Sequence, residues 1–299
     1  MSTPPLVAQG LGKRFRRDWA LRDLTLSIPK GAVVGLAGPN AAGKSTLLSL
    51  AAGMLAPSAG SISVLGGDPL ASPEVLGEVG YVAQGAPLYR SFRVADTIEY
   101  ARHTNSRWDR EIAVELLTRI DSRAKVGTLS AGERARLALA LALGKRPRLV
   151  LLDEPFASLD PLAARELLQL LMEGVAELGA TVIVASHVVA DIQRVCDHIV
   201  LLSSGCVRLE GDVEELLESH RLLTGPRRPL GAIRGVREVV RERYSGRQLT
   251  LLAITDGPIV DPSWTVDPVS LEELLLAYMA PERLPTPPTP ERVPLRWHG

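Results

Sequence analysis

The sequence predicts an α/β fold with a largely parallel sheet at its centre, a helical insertion and a small C-terminal α+β module. Two observations carry the prediction. Four short runs rich in Val, Ile and Leu each end abruptly in polar residues, and helical patterns alternate with them along the chain. Runs of this length, apolar throughout, suit strands buried on both faces of a parallel sheet. In such sheets ligands sit beyond the carboxyl ends of the strands, so the residues that follow the runs are the ones to inspect.

The four runs cover residues 33–37, 79–83, 149–152 and 181–185. They deliver Gly38-Pro39-Asn40, Gln84, Asp153-Glu154 and Ser186-His187 to one rim. Between residues 88 and 146 the pattern is helical, with apolar spacing over 95–102 and 110–120 and an Ala/Leu/Arg-rich stretch over 133–143. After residue 211 a separate module is expected: a helix over 213–223, a hairpin over 236–254 turning at Ser245-Gly246, and a last helix over 270–279. Residues 281–299 are Pro-rich and read as disordered. The expected units are therefore 1–211 with its insertion over 88–146, 212–280, and the tail 281–299. No internal repeat of fixed period is present.

Composition narrows the partners. Of the 299 residues, 34 are Lys or Arg and 34 are Asp or Glu, with no polybasic run, so no nucleic-acid partner is expected. Cys196 and Cys206 lack metal-ligand spacing and read as reduced thiols in a cytosolic protein. The first ten residues lack the charged start and apolar core of a signal peptide. No stretch approaches the roughly 20 apolar residues that span a bilayer, so any membrane role is expected to run through a partner.

The segment Gly38-Pro39-Asn40-Ala41-Ala42-Gly43-Lys44-Ser45 fits G-x-x-x-x-G-K-[ST], after an expected strand and before a helical run that starts at Thr46. The chemistry follows from the residue types. Glycines let consecutive N–H groups turn inward around a phosphate, and the following helix adds its positive end. Lys44 can reach β- and γ-phosphates, and the Ser45 hydroxyl can ligate Mg²⁺. Asp153, at a strand end beside this loop, is placed to hold the same ion. Glu154 could polarise a water as general base. Acidic residues also cap strands into turns, so the pair gains its weight from Lys44 on the same rim.

A loop of this kind with an acidic pair also fits kinases, GTPases and helicases. Leu129-Ser130-Ala131-Gly132-Glu133 narrows the choice, because it resembles the signature motif of ABC ATPases, with Ala131 and Glu133 where Gly and Gln are more familiar. The segment also satisfies S-x-x-E, a helix capping box; a capped helix N-terminus can still meet a phosphate. Further elements stand in the family's order: Phe15 for the adenine-stacking aromatic, Gln84 for the Q-loop, Ser158-Leu159-Asp160 for the D-loop, and His187 for the switch histidine. Trp19 is a rival to Phe15 for stacking, since a placed π-face is all that is needed. Gln84 and His187 taken alone would pass for ordinary polar residues at strand ends. The resemblance covers about residues 6–212 and is to the ABC nucleotide-binding domain.

The resemblance implies a P-loop NTPase that binds ATP and Mg²⁺. Lys44, Gln84, Glu154 and His187 would serve catalysis, and Ser45, Gln84 and Asp153 the metal. Phe15, the residues from Gly38 to Thr46, Ser130, Ala131, Gly132, Glu133 and Asp160 would contact nucleotide. Because the signature of one subunit meets the nucleotide of the other, it implies a dimer, with a like or a different ATPase, closing around two ATP molecules. It implies a separate transmembrane permease, with residues 85–94 (Tyr89, Arg90 and Phe92 among them) as the docking surface, and a location on the cytoplasmic face of the membrane. The single cassette with a short appended module, carrying Ser270-Leu271-Glu272-Glu273-Leu274, resembles ATPases of bacterial drug and antibiotic efflux. Two rivals remain: a soluble ABC ATPase acting on DNA or ribosomes, and a nucleotide-binding regulator that does not hydrolyse. The interval from Lys44 to Asp153 leaves no room for the coiled coil typical of the first, and intact Lys44, Asp153, Glu154 and His187 disfavour the second.

Overall fold

The computed structural model describes residues 3–227 and 233–279. The chain opens with two long strands, β1 (Leu6–Phe15) and β2 (Asp18–Ile28), then β3 (Val33–Ala37) and α1 (Lys44–Ala51). β4 (Ala59–Val64), α2 (Pro73–Gly77) and β5 (Val79–Val82) lead to α3 (Val94–Thr104), α4 (Arg110–Glu115) and α5 (Ala131–Leu143). β6 (Leu149–Asp153), α6 (Pro161–Leu178), β7 (Thr181–Ser186), α7 (Val189–Gln193), β8 (His198–Ser203) and β9 (Cys206–Asp212) follow. The last part holds α8 (Val213–Ser219), β10 (His220–Pro226), β11 (Val236–Ser245), β12 (Gln248–Thr255), β13 (Thr265–Pro268) and α9 (Leu271–Met279).

The central sheet has six strands in the order β5-β6-β7-β3-β8-β9, parallel from β5 to β8 with β9 antiparallel at the edge. All four expected strands lie side by side in it. Their alternating side chains divide the interior in two. Val150, Leu152, Val182 and Val184 face one core, shared with α5 and α6. Leu149, Leu151, Ile183 and Ala185 face the other, shared with α1 and the antiparallel sheet β2-β1-β4. Period-2 alternation with both faces apolar is what a doubly covered sheet requires.

Three expectations need correction. The helix expected over 213–223 ends at Ser219, and His220 to Leu223 belong to β10. There Leu222 pairs with Leu252 and Leu223 with Leu251 in the sheet β11-β12-β10-β13, so burial in a sheet outweighs a helical run of leucines. The helix expected over 110–120 is regular only to Glu115. Beyond it Leu117 N bonds Val114 O and Ile120 N bonds Leu117 O, tight turns that still bury Leu116, Leu117 and Ile120. The hairpin turns one residue later than expected: Ser245 pairs with Gln248, leaving Gly246 and Arg247 as the loop, with Gly246 at φ +57°. The tail 281–299 lies outside the described residues.

Both cysteines are free, and burial pushes the Cys196 thiol up to about 12. No helix among the described residues is long and apolar enough to cross a membrane. The last helix does not stand apart. α9 buries Leu271, Leu274 and Leu275 against α7, α8 and β9. α7 in turn presses Ile192 onto β3 at Gly35, where a side chain would collide with Ile192 and Ile199. Gly35→Val is therefore expected to destabilise the fold by about 1–3 kcal/mol through overpacking, measured as a lowered midpoint in urea unfolding.

Candidate active site

The phosphate-type loop joins β3 to α1 and depends on its glycines. Gly43 caps α1 at φ +106°, where a Cβ would lie 2.6 Å from Ala20 O and 2.5 Å from Leu21 Cδ2. Gly38, at φ +152°, packs onto the carbonyl of Leu202. Ala41 takes φ +62° in spite of its side chain. No side chain caps α1, so its first N–H groups face the loop as donors for an anion. Lys44 is only 6% exposed and folds its Nζ back over this loop, 2.8 Å from Gly38 O and 3.2 Å from Pro39 O.

The other strand ends meet it. Ser45 Oγ donates to Asp153 Oδ1 at 3.0 Å. Burial, reinforced by the neighbouring Glu154 charge, lifts the Asp153 carboxyl above the usual range; the Ser45 bond and Lys44 oppose the lift. Glu154 sits one residue beyond β6 in a left-handed conformation, φ +49°, with its N–H bonded to Ala185 O at the end of β7. Its buried carboxylate lies between two nitrogen groups: Oε1 is 3.5 Å from Lys44 Nζ and Oε2 is 2.8 Å from His187 Nδ1. A non-glycine residue held at positive φ costs about 1–3 kcal/mol and persists where the surroundings enforce it. The carboxylate thus has a proton-accepting oxygen pair, fixed in direction, beside a cation and an imidazole.

Not every expected residue joins this cluster. Gln84 follows β5, exposed, and makes no hydrogen bond to Ser45 or Asp153. A cavity of about 80 Å³ next to Glu154 is lined by its neighbours Ala83 and Gly85, with Ala131, Ser158 and Leu159. Ser130 caps α5: its Oγ accepts from Glu133 N at 3.2 Å while Glu133 Oε2 accepts from Ser130 N at 2.8 Å. That backbone bond holds the Glu133 carboxyl below its usual range. Asp160 spends its carboxylate on the N–H groups of Leu162 and Ala163, both at 3.0 Å, as the cap of α6.

Both candidate stacking aromatics stand partly exposed, Phe15 at 46% and Trp19 at 37%, and they differ in what their rings touch. Trp19 lays its ring over Gly12, where a Cβ would lie 2.8 Å from the indole. Phe15, at the tip of the β1–β2 hairpin, is 46% exposed, with Lys13 Nζ 5.2 Å from its ring centre. Lys13 was missed in the sequence, although its i, i−2 spacing from Phe15 puts both on one face of a strand. Asp191 on α7 was missed too; its carboxylate lies 3.5 Å from Ser186 Oγ at the end of β7, and burial raises its pKa.

The profile of the ABC transporter family matches residues 21–157. Among curated relatives, the "Nod factor export ATP-binding protein I" of Rhizobium johnstonii is 32% identical over 97% of this chain and 93% of its own length. The methionine import ATP-binding protein of Protochlamydia amoebophila is 34% identical over 66% of this chain, an alignment that spans 62% of that relative. Among solved structures, a dimeric bacterial ABC transporter cassette superimposes with a TM-score of 0.63 at 25% identity, covering 70% of this chain and 98% of that one. The relatives thus include import and export proteins. With the parallel sheet, the phosphate-type loop and these likenesses together, the chain belongs to the ABC transporter family, as an ATP-binding cassette that hydrolyses ATP.

Proposed function

We propose that this chain is the motor subunit of an ABC exporter, acting on the cytoplasmic face of the membrane through a separate transmembrane permease. The observation that carries the catalytic part is the convergence of Lys44, Asp153, Glu154 and His187 at adjacent strand ends. In this reading the loop from Gly38 to Thr46 wraps the phosphates of ATP, Lys44 turns from the Gly38 and Pro39 carbonyls to the β- and γ-phosphates, and Phe15 stacks on adenine. Ser45 and Asp153 offer two hard oxygen ligands 3.0 Å apart, and a cation would offset the cost of burying the Asp153 charge; the pair fits Mg²⁺. When bound, that ion supplies neutralisation of phosphate charge.

Glu154 then takes a proton from a water whose oxygen bonds to the γ-phosphorus. The bond to the bridging oxygen breaks, and ADP leaves with its electron pair. His187 holds the Glu154 carboxylate in position, and Gln84 joins the site only if the segment after β5 moves inward. Ser130, Ala131, Gly132 and Glu133 act on the nucleotide of a second ATPase subunit, like or unlike this one. A head-to-tail dimer that ATP closes and hydrolysis releases is a population shift driven by differential binding.

Docking of the permease is supported by a groove of about 490 Å³ between the central sheet and the helices α3 and α5. Met54, Leu88, Tyr89, Tyr100 and Leu141 wall it, and Tyr89 and Tyr100 stand more than half exposed, at 62% and 51%. Support for export over import comes from one full-length likeness, since two other Nod factor export proteins align over 74% of this chain and a sulfate/thiosulfate import protein over 71%. The alignment to the Rhizobium johnstonii export protein runs through the C-terminal module, whereas that to the methionine import protein covers 66% of the chain.

Glu154→Gln is expected to lower kcat by about 10²–10⁴-fold while still binding ATP, read by steady-state phosphate release and calorimetry; wild-type turnover would remove Glu154 as the base. Phe15→Ala should weaken ATP binding by about 3–10-fold through lost stacking. Trp19→Ala should instead lower the thermal midpoint and leave affinity within about twofold, since its ring covers Gly12.

A further inference from the structure

Among the described residues, one cation of the docking groove has no counter-charge. Lys145, just past α5, lines the groove together with Tyr81, Tyr89 and Tyr100. Its Nζ donates to Leu76 O at 3.0 Å and Val79 O at 2.7 Å, which uses two of its three N–H groups. Among the described residues no carboxylate forms an ion pair with it. Glu78, which stands between those two carbonyl residues in the chain, is committed to Arg107 and to Arg148, the latter at 2.9 Å. Burial alone moves the lysine below its ordinary range, with no neighbouring charge contributing.

An apolar helix laid over this groove would strip the remaining water from the ammonium. A cation buried without a partner is costly, and the cost falls when the covering surface brings a carboxylate of its own. We propose that the permease segment seated in this groove presents an Asp or Glu side chain to Lys145 Nζ, beside an apolar anchor packed on Tyr89 and Tyr100. The proposal rests on the docking reading above and adds the chemistry of the partner. The charge pair would also select against permeases that lack an acid at this position, since they would leave Lys145 unpaired.

The test uses the full chain and membrane vesicles from cells that express it, washed with urea to remove peripheral proteins. A carbodiimide joins an amine to a contacting carboxylate with no spacer, so mass mapping is expected to find Lys145 linked to an Asp or Glu of an integral membrane protein. Lys145→Gln, which keeps donors for the two carbonyls but not the charge, should weaken co-sedimentation by about tenfold or more. Lys145→Arg should restore binding while losing the cross-link. Equal binding by wild type and Lys145→Gln, or tight wild-type binding without a cross-link at Lys145, overturns the carboxylate contact. No wild-type binding at all overturns the docking reading and the proposal with it.

Discussion

Of the two buried carboxylates at the rim, that of Glu154 ties its strands together. Glu154 lies between Lys44, from the β3–α1 loop, and His187, from the end of β7, and it reaches them from a left-handed backbone at the end of β6. Each partner arrives from a different strand of the parallel sheet. The three strands must therefore keep register, and they do so through backbone pairing of β6 with β7 and β7 with β3. Glu154 N–H bonded to Ala185 O is the last rung of that ladder. Removing the carboxylate, or letting one strand slip by a residue, would leave Lys44 a buried cation without its acid.

The helix N-termini around the rim are treated in two ways. α5 and α6 satisfy their own first N–H groups with side chains, Ser130 and Glu133 in one case and Asp160 in the other. α1 has only Gly43 and no side-chain cap. Its donors are supplied with backbone curvature instead of an acceptor, the arrangement suited to an anionic ligand. At α5 the Glu133 carboxylate already sits on the Ser130 N–H. On the proposed reading, a partner's phosphate approaching that helix meets an internal anion, which makes closure of the pair weaker than with the neutral Gln more familiar there.

Much of this was legible because the signals were local. Buried parallel strands read as unbroken Val/Ile/Leu runs, so β3, β5, β6 and β7 and the residues after them stood out. The antiparallel sheet β2-β1-β4 went unread, even though Leu24-Thr25-Leu26-Ser27-Ile28 alternates with period 2, because its buried half is spread over strands with shifted register. β10 reads as helix in the sequence because its leucines continue those of α8, and only pairing with β12 decides their conformation. Phe15 is preferred to Trp19 in the sequence, and the contact of the Trp19 ring with Gly12 shows only in three dimensions. Nor does any pattern announce Lys145, whose burial and lack of an acid among the described residues are properties of three dimensions.

On the proposed mechanism Glu154 and His187 act as one unit on the attacking water. A double-mutant cycle on single-turnover ATP hydrolysis, with Glu154→Gln, His187→Ala and the pair, tests it most directly. Residues that act as a unit give strongly non-additive losses, so the double variant should be slowed no more than about threefold beyond the worse single one. Losses that multiply would show two independent contributions and rule out that coupling.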